Sequence, residues 1–397
     1  MASGEISSDT IAAIATPAGR GGIGVVRVSG PKVFEISTGI LGLLPAPRYA
    51  QFARFRDARG EPIDEGLALY FPAPNSYTGE AVLELHGHGG TVVMQTLLRA
   101  CLDAGARLAE PGEFTRRAFL EGKLDLAQAE AVADLIEASS EQAARAALRS
   151  LRGEFSDAIH AFASRLVELR ALTEAMLDFP EEELDAVHRS DATSRLQALA
   201  AGLDEVLAKS REGSLLRSGI HVVLAGRPNV GKSSLLNRLA GEERAIVTPI
   251  AGTTRDALRE PIQIEGVPLT LVDTAGLRES VDELEQLGVE RTRRELAQAD
   301  LVVVVEEAGG AAPSLPPIAT PAERILVYNK LDLAPRFERP QGALAVSAKT
   351  GQGLEELRAA ILAAAGWSAA GESVFLARER HLRALEKARG HIDAAHR

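Results

Sequence analysis

Cysteine, aromatic residues and long apolar runs are all scarce in this sequence of 397 residues. The single cysteine, Cys101, excludes an intramolecular disulfide framework and cysteine-rich zinc sites, and it is typical of a reducing compartment. Its surroundings, "TLLRACLDAG", predict a small buried side chain. No stretch approaches the length of a membrane-spanning helix, and the first residues do not form a secretion signal, so we expect a cytoplasmic protein.

An excess of positive charge is absent as well. The net charge is −11, which excludes a strongly basic domain that binds nucleic acid broadly and leaves a local basic patch open. A hydrophobic share of 46% and a charged share of 25% are typical of globular proteins. The length suffices for two or three domains, each with its own core.

Three textures follow one another along the chain. Short β-rich runs come first, amphipathic helical patterns follow, and strands that alternate with helices come next, before a last helical segment. We therefore predict a multidomain protein. An N-terminal α+β domain is followed by a discontinuous all-α domain into which an α/β domain is inserted. The predicted boundaries are 1–118, 119–216, 217–370 and 371–397.

The inserted domain contains five apolar strands, "IHVVLAG", "LTLVD", "LVVVVE", "RILVYNK" and "ALAVSA", which predict a mostly parallel sheet with helices on both faces. The first strand leads into "GRPNVGKSS", which matches the phosphate-binding pattern G-x-x-x-x-G-K-[ST] at Gly226, Gly231, Lys232 and Ser233. Backbone amides of such a loop surround a β-phosphate. Lys232 would reach the β- and γ-phosphates, and Ser233 would bind Mg²⁺.

Two later motifs predict that the base is guanine. "NKLD" follows a strand and places Asp332 where it can accept hydrogen bonds from the guanine N1–H and 2-amino groups, which adenine lacks. A buried carboxylate left without these donors would discriminate steeply against adenine. The backbone of "SAK", which follows the next strand, would meet the guanine O6 atom.

Two switch segments are also predicted. "AGTTRD" offers Thr253 and Thr254, one of which is expected to bind Mg²⁺ and sense the γ-phosphate. "DTAG" is the turn that closes over the γ-phosphate, but Leu277 follows it where Ras and Gα have the glutamine that orients the attacking water. Either the switch is inactive or the catalytic group lies elsewhere.

The glycine and histidine clusters in the N-terminal domain are weaker evidence for a binding site than the nucleotide motifs are. "GRGGIG" fits the dinucleotide pattern G-x-G-x-x-G, but a strand pattern follows it where that motif requires a helix, so we interpret it as a tight turn. "HGHGG" places His86 and His88 on one face of an extended run, with no cysteine or further histidine nearby to complete a metal site.

The chain resembles the MnmE (TrmE) family of tRNA modification GTPases through seven stretches, namely "ATPAGRGGIGVVRVSG", "PNSYTGEAVLELHGHGG", "PGEFTRRAFLEGKLDLAQAEAVADLIEA", "GSLLRSG", "GRPNVGKSSLLN", "IVTPIAGTTRD" and "DTAGLRES". The resemblance runs from about residue 10 to the last residue. It implies a folate-binding, dimerising N-terminal domain, a helical domain and a GTPase domain whose copies dimerise during hydrolysis.

The resemblance also implies an activity. With an FAD-dependent partner of the MnmG (GidA) type, the homodimer would add a (carboxymethyl)aminomethyl group to C5 of the wobble uridine of certain tRNAs. A 5-formyl or 5,10-methylene tetrahydrofolate would supply the carbon and would contact Arg27, Glu84 and Lys123. Without the resemblance, the first two are exposed strand residues and Lys123 is a solvated helix start.

The resemblance also implies which groups replace the catalytic glutamine that is absent at Leu277. A K⁺ ion beside the phosphates would counter the charge that develops in the transition state. Glu285 would handle the water, although from its surroundings it is one of four acids on a solvated helix, and Arg278 would orient the switch. The implied K⁺ ligands are Asn229, Thr248, Ile250 and Thr253, the Mg²⁺ ligands are Ser233 and Thr254, and the catalytic residues are Glu285, Lys232, Thr254 and Arg278. The predicted nucleotide-binding residues are Asn229, Val230, Gly231, Lys232, Ser233, Ser234, Thr248, Pro249, Ile250, Ala251, Gly252, Thr253, Thr254, Asp273, Thr274, Ala275, Gly276, Asn329, Lys330, Asp332, Ser347, Ala348 and Lys349.

The family's terminal Cys-x-Gly-Lys motif has no counterpart in the 397 residues. We therefore expect either a truncated sequence or a product without that cysteine. Two other functions stay open at this point. A GTPase switch in ribosome assembly would predict a basic RNA-binding appendage, and a folate-dependent one-carbon enzyme with a regulatory G domain would turn over folate without GTP.

Overall fold

The structure is a computed structural model of the 397-residue chain and describes residues 9–178, 185–242, 259–273, 294–310, 320, 322–367 and 374–396. These residues form two compact units, which divide after residue 130. Among the described residues, no helix is long and apolar enough to cross a membrane. The predicted four-segment division of the chain stays a prediction.

The first unit is an α+β fold, as predicted from its β-rich texture. Its elements are β1 (Ile11–Ile14), β2 (Gly24–Ser29), α1 (Val33–Leu41), β3 (Gln51–Arg56), β4 (Pro62–Phe71), β5 (Val82–Gly87), α2 (Thr91–Asp103), β6 (Arg107–Leu108) and α3 (Glu113–Leu120). The strands form one sheet in the order β3-β4-β5-β2-β1-β6, antiparallel except between β1 and β6.

Helices α1 and α2 share one hydrophobic core with the alternate residues of the strands. Val26 and Val28 of β2 pack in this core with Ile36 of α1 and Leu97 of α2. Because side chains alternate across a strand, Arg27 lies on the opposite face of β2. Cys101 is fully buried in the core, and burial raises the pKa of its thiol to about 12, which confirms the predicted apolar role.

The second unit begins within α4 and contains the helical segments and the α/β domain. Its elements are α4 (Leu126–Glu137), α5 (Glu141–Leu151), α6 (Glu154–Asp178), α7 (Asp185–Ser218), β7 (Ile220–Gly226), α8 (Lys232–Glu242), β8 (Arg259–Ile264), β9 (Val267–Asp273), β10 (Leu301–Glu307), β11 (Glu323–Asn329), β12 (Leu344–Ala345), α9 (Leu354–Ala364) and α10 (Glu379–Ala395). The predicted strand "ALAVSA" is reduced to the two residues of β12.

The second sheet has the order β12-β11-β10-β7-β9-β8 and is parallel except for the antiparallel edge pair β8–β9, which confirms the mostly parallel prediction. Leu235 of α8 and Leu357 of α9 pack on one face. Leu296 and Ala299 pack with Val223 and Val302 on the other. Both faces of the sheet are therefore covered, and the carboxyl ends of the parallel strands meet at one edge.

The helical segments before and after the α/β domain pack on each other. The guanidinium of Arg389 in α10 lies 2.7 Å from the carboxylate of Asp204 in α7, and Arg211 of α7 lies 2.8 Å from Glu386 of α10. The rings of Phe155 and His381 stack 5.2 Å apart. These contacts confirm that the helical domain is discontinuous.

Candidate nucleotide and folate sites

The loop between β7 and α8 holds its lysine in the place that the phosphate-binding motif predicts. The Lys232 side chain is buried, and its ammonium donates to the backbone carbonyls of Gly226 and Arg227 at 3.0 and 2.9 Å. A lysine folded back along its own loop places a positive charge at the centre of that loop. Asn229 at the loop tip is exposed and has a positive φ of 66°.

Close backbone approach explains the two glycines of this loop. A Cβ atom on Gly226 would lie 2.3 Å from the carbonyl oxygen of Val305, and one on Gly231 would lie 2.4 Å from the amide nitrogen of Asn329. Neither position has room for a side chain. The loop can therefore lie directly against β10 and the end of β11.

Ser233 and Asp273 meet across the end of the sheet. The Ser233 hydroxyl donates to the Asp273 carboxylate at 2.5 Å, and Asp273 is almost fully buried at the end of β9. A hydroxyl beside a carboxylate is the oxygen donor set that P-loop proteins use for Mg²⁺, so these residues fit that ion.

The predicted base-binding residues also converge. The Asn329 side chain donates to the carbonyl of Val230 at 3.0 Å, and its amide oxygen accepts from the backbone nitrogen of Ala348 at 3.1 Å. Asn329 thus connects the phosphate loop to the "SAK" segment. The hydroxyl of Ser347 donates to Asp332 at 2.7 Å, which fixes the orientation of that carboxylate.

Lys330 completes this side of the site. It has a φ of 63°, and its ammonium lies 3.1 Å from the carboxylate of Glu307 on β10. Ser234 in α8 and Lys349 of "SAK" are both exposed, and the other predicted residues lie outside the described residues. These are Thr248, Pro249, Ile250, Ala251, Gly252, Thr253, Thr254, Thr274, Ala275, Gly276, Arg278 and Glu285.

In the first unit, Arg27 and Glu84 form a pair on neighbouring strands. A guanidinium nitrogen of Arg27 lies 2.7 Å from a Glu84 carboxylate oxygen, and the second oxygen lies 3.3 Å from the His86 ring. The Arg27 guanidinium also lies over the rings of Tyr77 and Phe114, at 5.5 and 5.7 Å from their centroids. Two aromatic rings and a carboxylate therefore fix this cation.

Lys123 lies beside Gly79, which is in the same loop as Tyr77. A Cβ atom on Gly79 would lie 3.6 Å from the Cε atom of Lys123. Tyr77 and Phe114 were not predicted from the sequence, because neither has a periodicity or spacing that signals a role. His86 and His88 do not form a metal site with other ligands, since no group of three suitable side chains occurs among the described residues.

Motif order and sheet topology define a P-loop GTPase domain, inserted in a helical domain and preceded by an α+β domain. Two family models agree with this architecture. "GTP-binding protein TrmE N-terminus" matches residues 10–123, and "MnmE helical domain" matches residues 126–397. Because the second model spans more than half of the chain, the chain belongs to the MnmE (TrmE) family.

Individual relatives agree. A "tRNA modification GTPase MnmE" from Azoarcus sp. (strain BH72) is 58% identical, over 98% of this chain and 88% of the relative. One from Dechloromonas aromatica (strain RCB) is 57% identical, over 98% of this chain and 89% of the relative. A crystal structure of Era from Aquifex aeolicus is 30% identical over 36% of this chain and 55% of its own, with a TM-score of 0.27.

Proposed function

We propose that this chain, a tRNA modification GTPase, is stimulated by K⁺ and acts with an FAD-dependent partner of the MnmG type. The pair would add a (carboxymethyl)aminomethyl group to C5 of the wobble uridine of its target tRNAs. The proposal rests on the family membership and on the geometry of the phosphate loop. It places the chain in the cytoplasm as a homodimer that dimerises through its N-terminal domain, with domains at 1–118, 119–216, 217–370 and 371–397.

The observation that carries the GTPase assignment is the convergence of three motifs on one sheet edge. Lys232, Ser233 with Asp273, and Asn329 come from separate segments and meet at the carboxyl ends of parallel strands. Nucleotides bind at this edge in open α/β sheets. Lys232 would neutralise phosphate charge, Ser233 and Thr254 would hold Mg²⁺, and Asp332 would select guanine.

The K⁺ proposal concerns Asn229. Its side chain is exposed at the loop tip, where its amide oxygen is available to a cation beside the phosphates. Such a cation supplies the charge compensation that an arginine finger supplies elsewhere. Thr248, Ile250 and Thr253 would complete its coordination. Glu285 would orient the water that Leu277 is unable to orient, with Arg278 holding the switch.

The test is GTP turnover by the wild type, Asn229→Ala and Glu285→Ala in KCl and in NaCl at equal ionic strength. We expect faster hydrolysis by the wild type in KCl and no cation response in the Asn229 variant. The Glu285 variant should bind GTP but fail to hydrolyse it, whereas a control, Glu205→Gln on the exposed surface of α7, should match the wild type. Equal wild-type rates in both salts would refute the K⁺ proposal.

We further propose that Arg27, Glu84 and Lys123 bind a reduced folate, in the 5-formyl or the 5,10-methylene form. A donor and an acceptor side by side, flanked by aromatic rings, fit a flat heterocycle with both kinds of hydrogen-bonding group. Calorimetry with 5-formyltetrahydrofolate should give binding by the wild type and at least a tenfold loss for Glu84→Gln. Unchanged affinity in that variant would remove Glu84 from the site.

A further inference from the structure

An oriented histidine lies just beyond the end of β5 and is not used by the proposed nucleotide or folate contacts. The His88 ring nitrogen Nδ1 lies 2.8 Å from one carboxylate oxygen of Asp64, and the backbone N–H of His88 donates to the other at 2.7 Å. The His88 side chain is 75% exposed, whereas that of Asp64 is 11% exposed. A buried carboxylate therefore holds an imidazole whose second nitrogen, Nε2, is accessible to solvent.

Two glycines confine the backbone on either side of His88. A Cβ atom on Gly87 would lie 2.5 Å from the Asp64 carboxylate, and one on Gly89 would lie 2.6 Å from the carbonyl oxygen of Ile23. Glycine is thus required on both sides of His88 in "HGHGG", because neighbouring atoms lie too close to Gly87 and Gly89 for a side chain. An exposed side chain fixed in this way has lost conformational freedom that surface histidines ordinarily keep.

The carboxylate is suited to this task. Burial alone would favour the neutral form of Asp64, but hydrogen bonds from the backbone and ring of His88 outweigh it and lower the pKa of Asp64. Asp64 therefore stays ionised. A carboxylate on one ring nitrogen fixes the tautomer, so that the other nitrogen is able to exchange a proton, as in hydrolase triads.

The position of His88 links it to the proposed folate residues. Along β5, His88 lies four residues beyond Glu84, which corresponds to about 13 Å of extended strand. On its other side, Gly89 lines a cavity of about 520 Å³ together with Gly19, Ile23 and Met94. Cavities of this size hold small organic ligands. The cavity and the Asp64 carboxylate lie on the α2 side of the sheet, near Met94, whereas Glu84 lies on the opposite face. A reduced folate that contacts Glu84 and the cavity would therefore pass round the end of β5 at His88.

We propose that His88, oriented by Asp64, is an acid–base residue for one-carbon transfer and exchanges a proton with a nitrogen of the bound reduced folate. His88 would supply, from Nε2, the proton that a folate nitrogen takes up when its bond to the one-carbon unit breaks and the electron pair stays on that nitrogen. The carbon would bond to a carbon nucleophile, C5 of the uridine in the proposed function. Exposure of the ring lets solvent return the proton. This inference rests on the proposed folate and tRNA-modifying function.

The test is formation of modified wobble uridine, measured by nucleoside mass spectrometry. The reaction contains the full chain, its FAD-dependent partner, GTP, K⁺, 5,10-methylenetetrahydrofolate and an unmodified tRNA transcript. We expect His88→Ala and His88→Gln to lose at least 100-fold in rate, because a positioned acid–base group contributes about 10²–10⁴-fold. GTP turnover and affinity for 5-formyltetrahydrofolate should stay within twofold of the wild type.

Added imidazole separates proton transfer from a structural role. It should restore at least a tenth of the wild-type rate to His88→Ala, and it should not change the rate of His160→Ala, a control at an exposed position of α6. Full activity of His88→Gln, or a loss that imidazole does not restore, would overturn the role of His88. Absence of modification by the wild type would overturn the proposed function and this role with it.

Discussion

Two charged clusters of the molecule, the Arg117 network of the first unit and the nucleotide site of the second, hold their buried charges in different ways. In the first, Arg117 is 5% exposed and lies within 3.1 Å of the carboxylates of Asp9, Glu80 and Glu113. In the second, the ammonium of buried Lys232 donates to the carbonyls of Gly226 and Arg227, and Asp273 accepts from the hydroxyl of Ser233. Direct ion pairs lock three segments of the first unit together, whereas backbone carbonyls and a hydroxyl are among the groups that hold the charges of Lys232 and Asp273 at the nucleotide site.

This difference predicts what each cluster contributes. Removal of one member of a buried ion network leaves its partners with uncompensated charge, so the cost falls on stability. Charges held by carbonyls and hydroxyls keep their capacity to interact with an incoming anion or cation, so the cost of losing them falls on binding and hydrolysis. The predictions below test that separation, from the largest expected effect to the smallest.

The largest effect is expected at the base site. Asp332→Asn replaces an acceptor by an amide whose NH₂ group opposes the guanine 2-amino group, so affinity for GTP should fall by about 10⁴-fold. The same amide can donate to the 2-carbonyl of xanthine, so binding of xanthosine triphosphate should be gained. Fluorescence titration measures the affinity of the wild type and the variant for each of the two nucleotides. Retained GTP affinity would contradict the role of Asp332, and the melting temperature should not change.

In the first unit, Arg117→Ala should lower the free energy of unfolding by about 3–5 kcal/mol, because three carboxylates lose a buried partner. Its neighbour Arg116 provides a control, since it is 57% exposed, pairs with Glu110 at the surface and lies farther from Glu113, at 3.5 Å, than Arg117 does. Arg116→Ala should cost at most about 1 kcal/mol. Denaturant unfolding of both variants measures the difference, and similar losses would contradict the proposed importance of burial.

The smallest of the three effects depends on pH. Hydrogen bonds from Arg107 lower the pKa of Glu113 from 4.5 to about 2, against the opposing effect of burial. Because the folded pKa is depressed, the stabilisation is complete above about pH 4.5 and is lost as pH falls towards 2. It amounts to roughly 3 kcal/mol. Glu113→Gln should unfold with a weaker pH dependence than the wild type between pH 5 and 2, and equal slopes would contradict this role.

Local sequence patterns predicted the α/β part of the fold well. The apolar runs of β7, β9, β10 and β11 and the glycine loop before Lys232 are local signals, so the mostly parallel sheet and the phosphate loop could be predicted from them. The discontinuous helical domain was predicted from the helical hydrophobic patterns before and after the α/β segment alone. The GTPase identity was likewise fixed by short motifs in a set order.

Contacts between distant segments were not predictable from the sequence. Arg117 contacts Glu80 and Asp9, which lie 37 and 108 positions away in the sequence. The aromatic rings beside Arg27 belong to Tyr77 and Phe114, which lie 50 and 87 positions away. Strand β8 was missed, although the two-residue turn of Glu265 and Gly266, with φ of 50° and 76°, joins it to β9 as in a β-hairpin. The contacts of Arg117 and Arg27 depend on the tertiary fold, which a single sequence without homologues does not specify at side-chain level.

The most direct test of the central claim is the GTP hydrolysis rate of Lys232→Ala beside that of Lys209→Ala, which replaces a partly exposed lysine of α7 that pairs with Glu205. The account predicts a loss of at least 100-fold for Lys232→Ala, with the melting temperature of the first unit unchanged, and a wild-type rate for Lys209→Ala. Hydrolysis by Lys232→Ala within tenfold of the wild type would contradict the assignment of the phosphate loop as the catalytic centre.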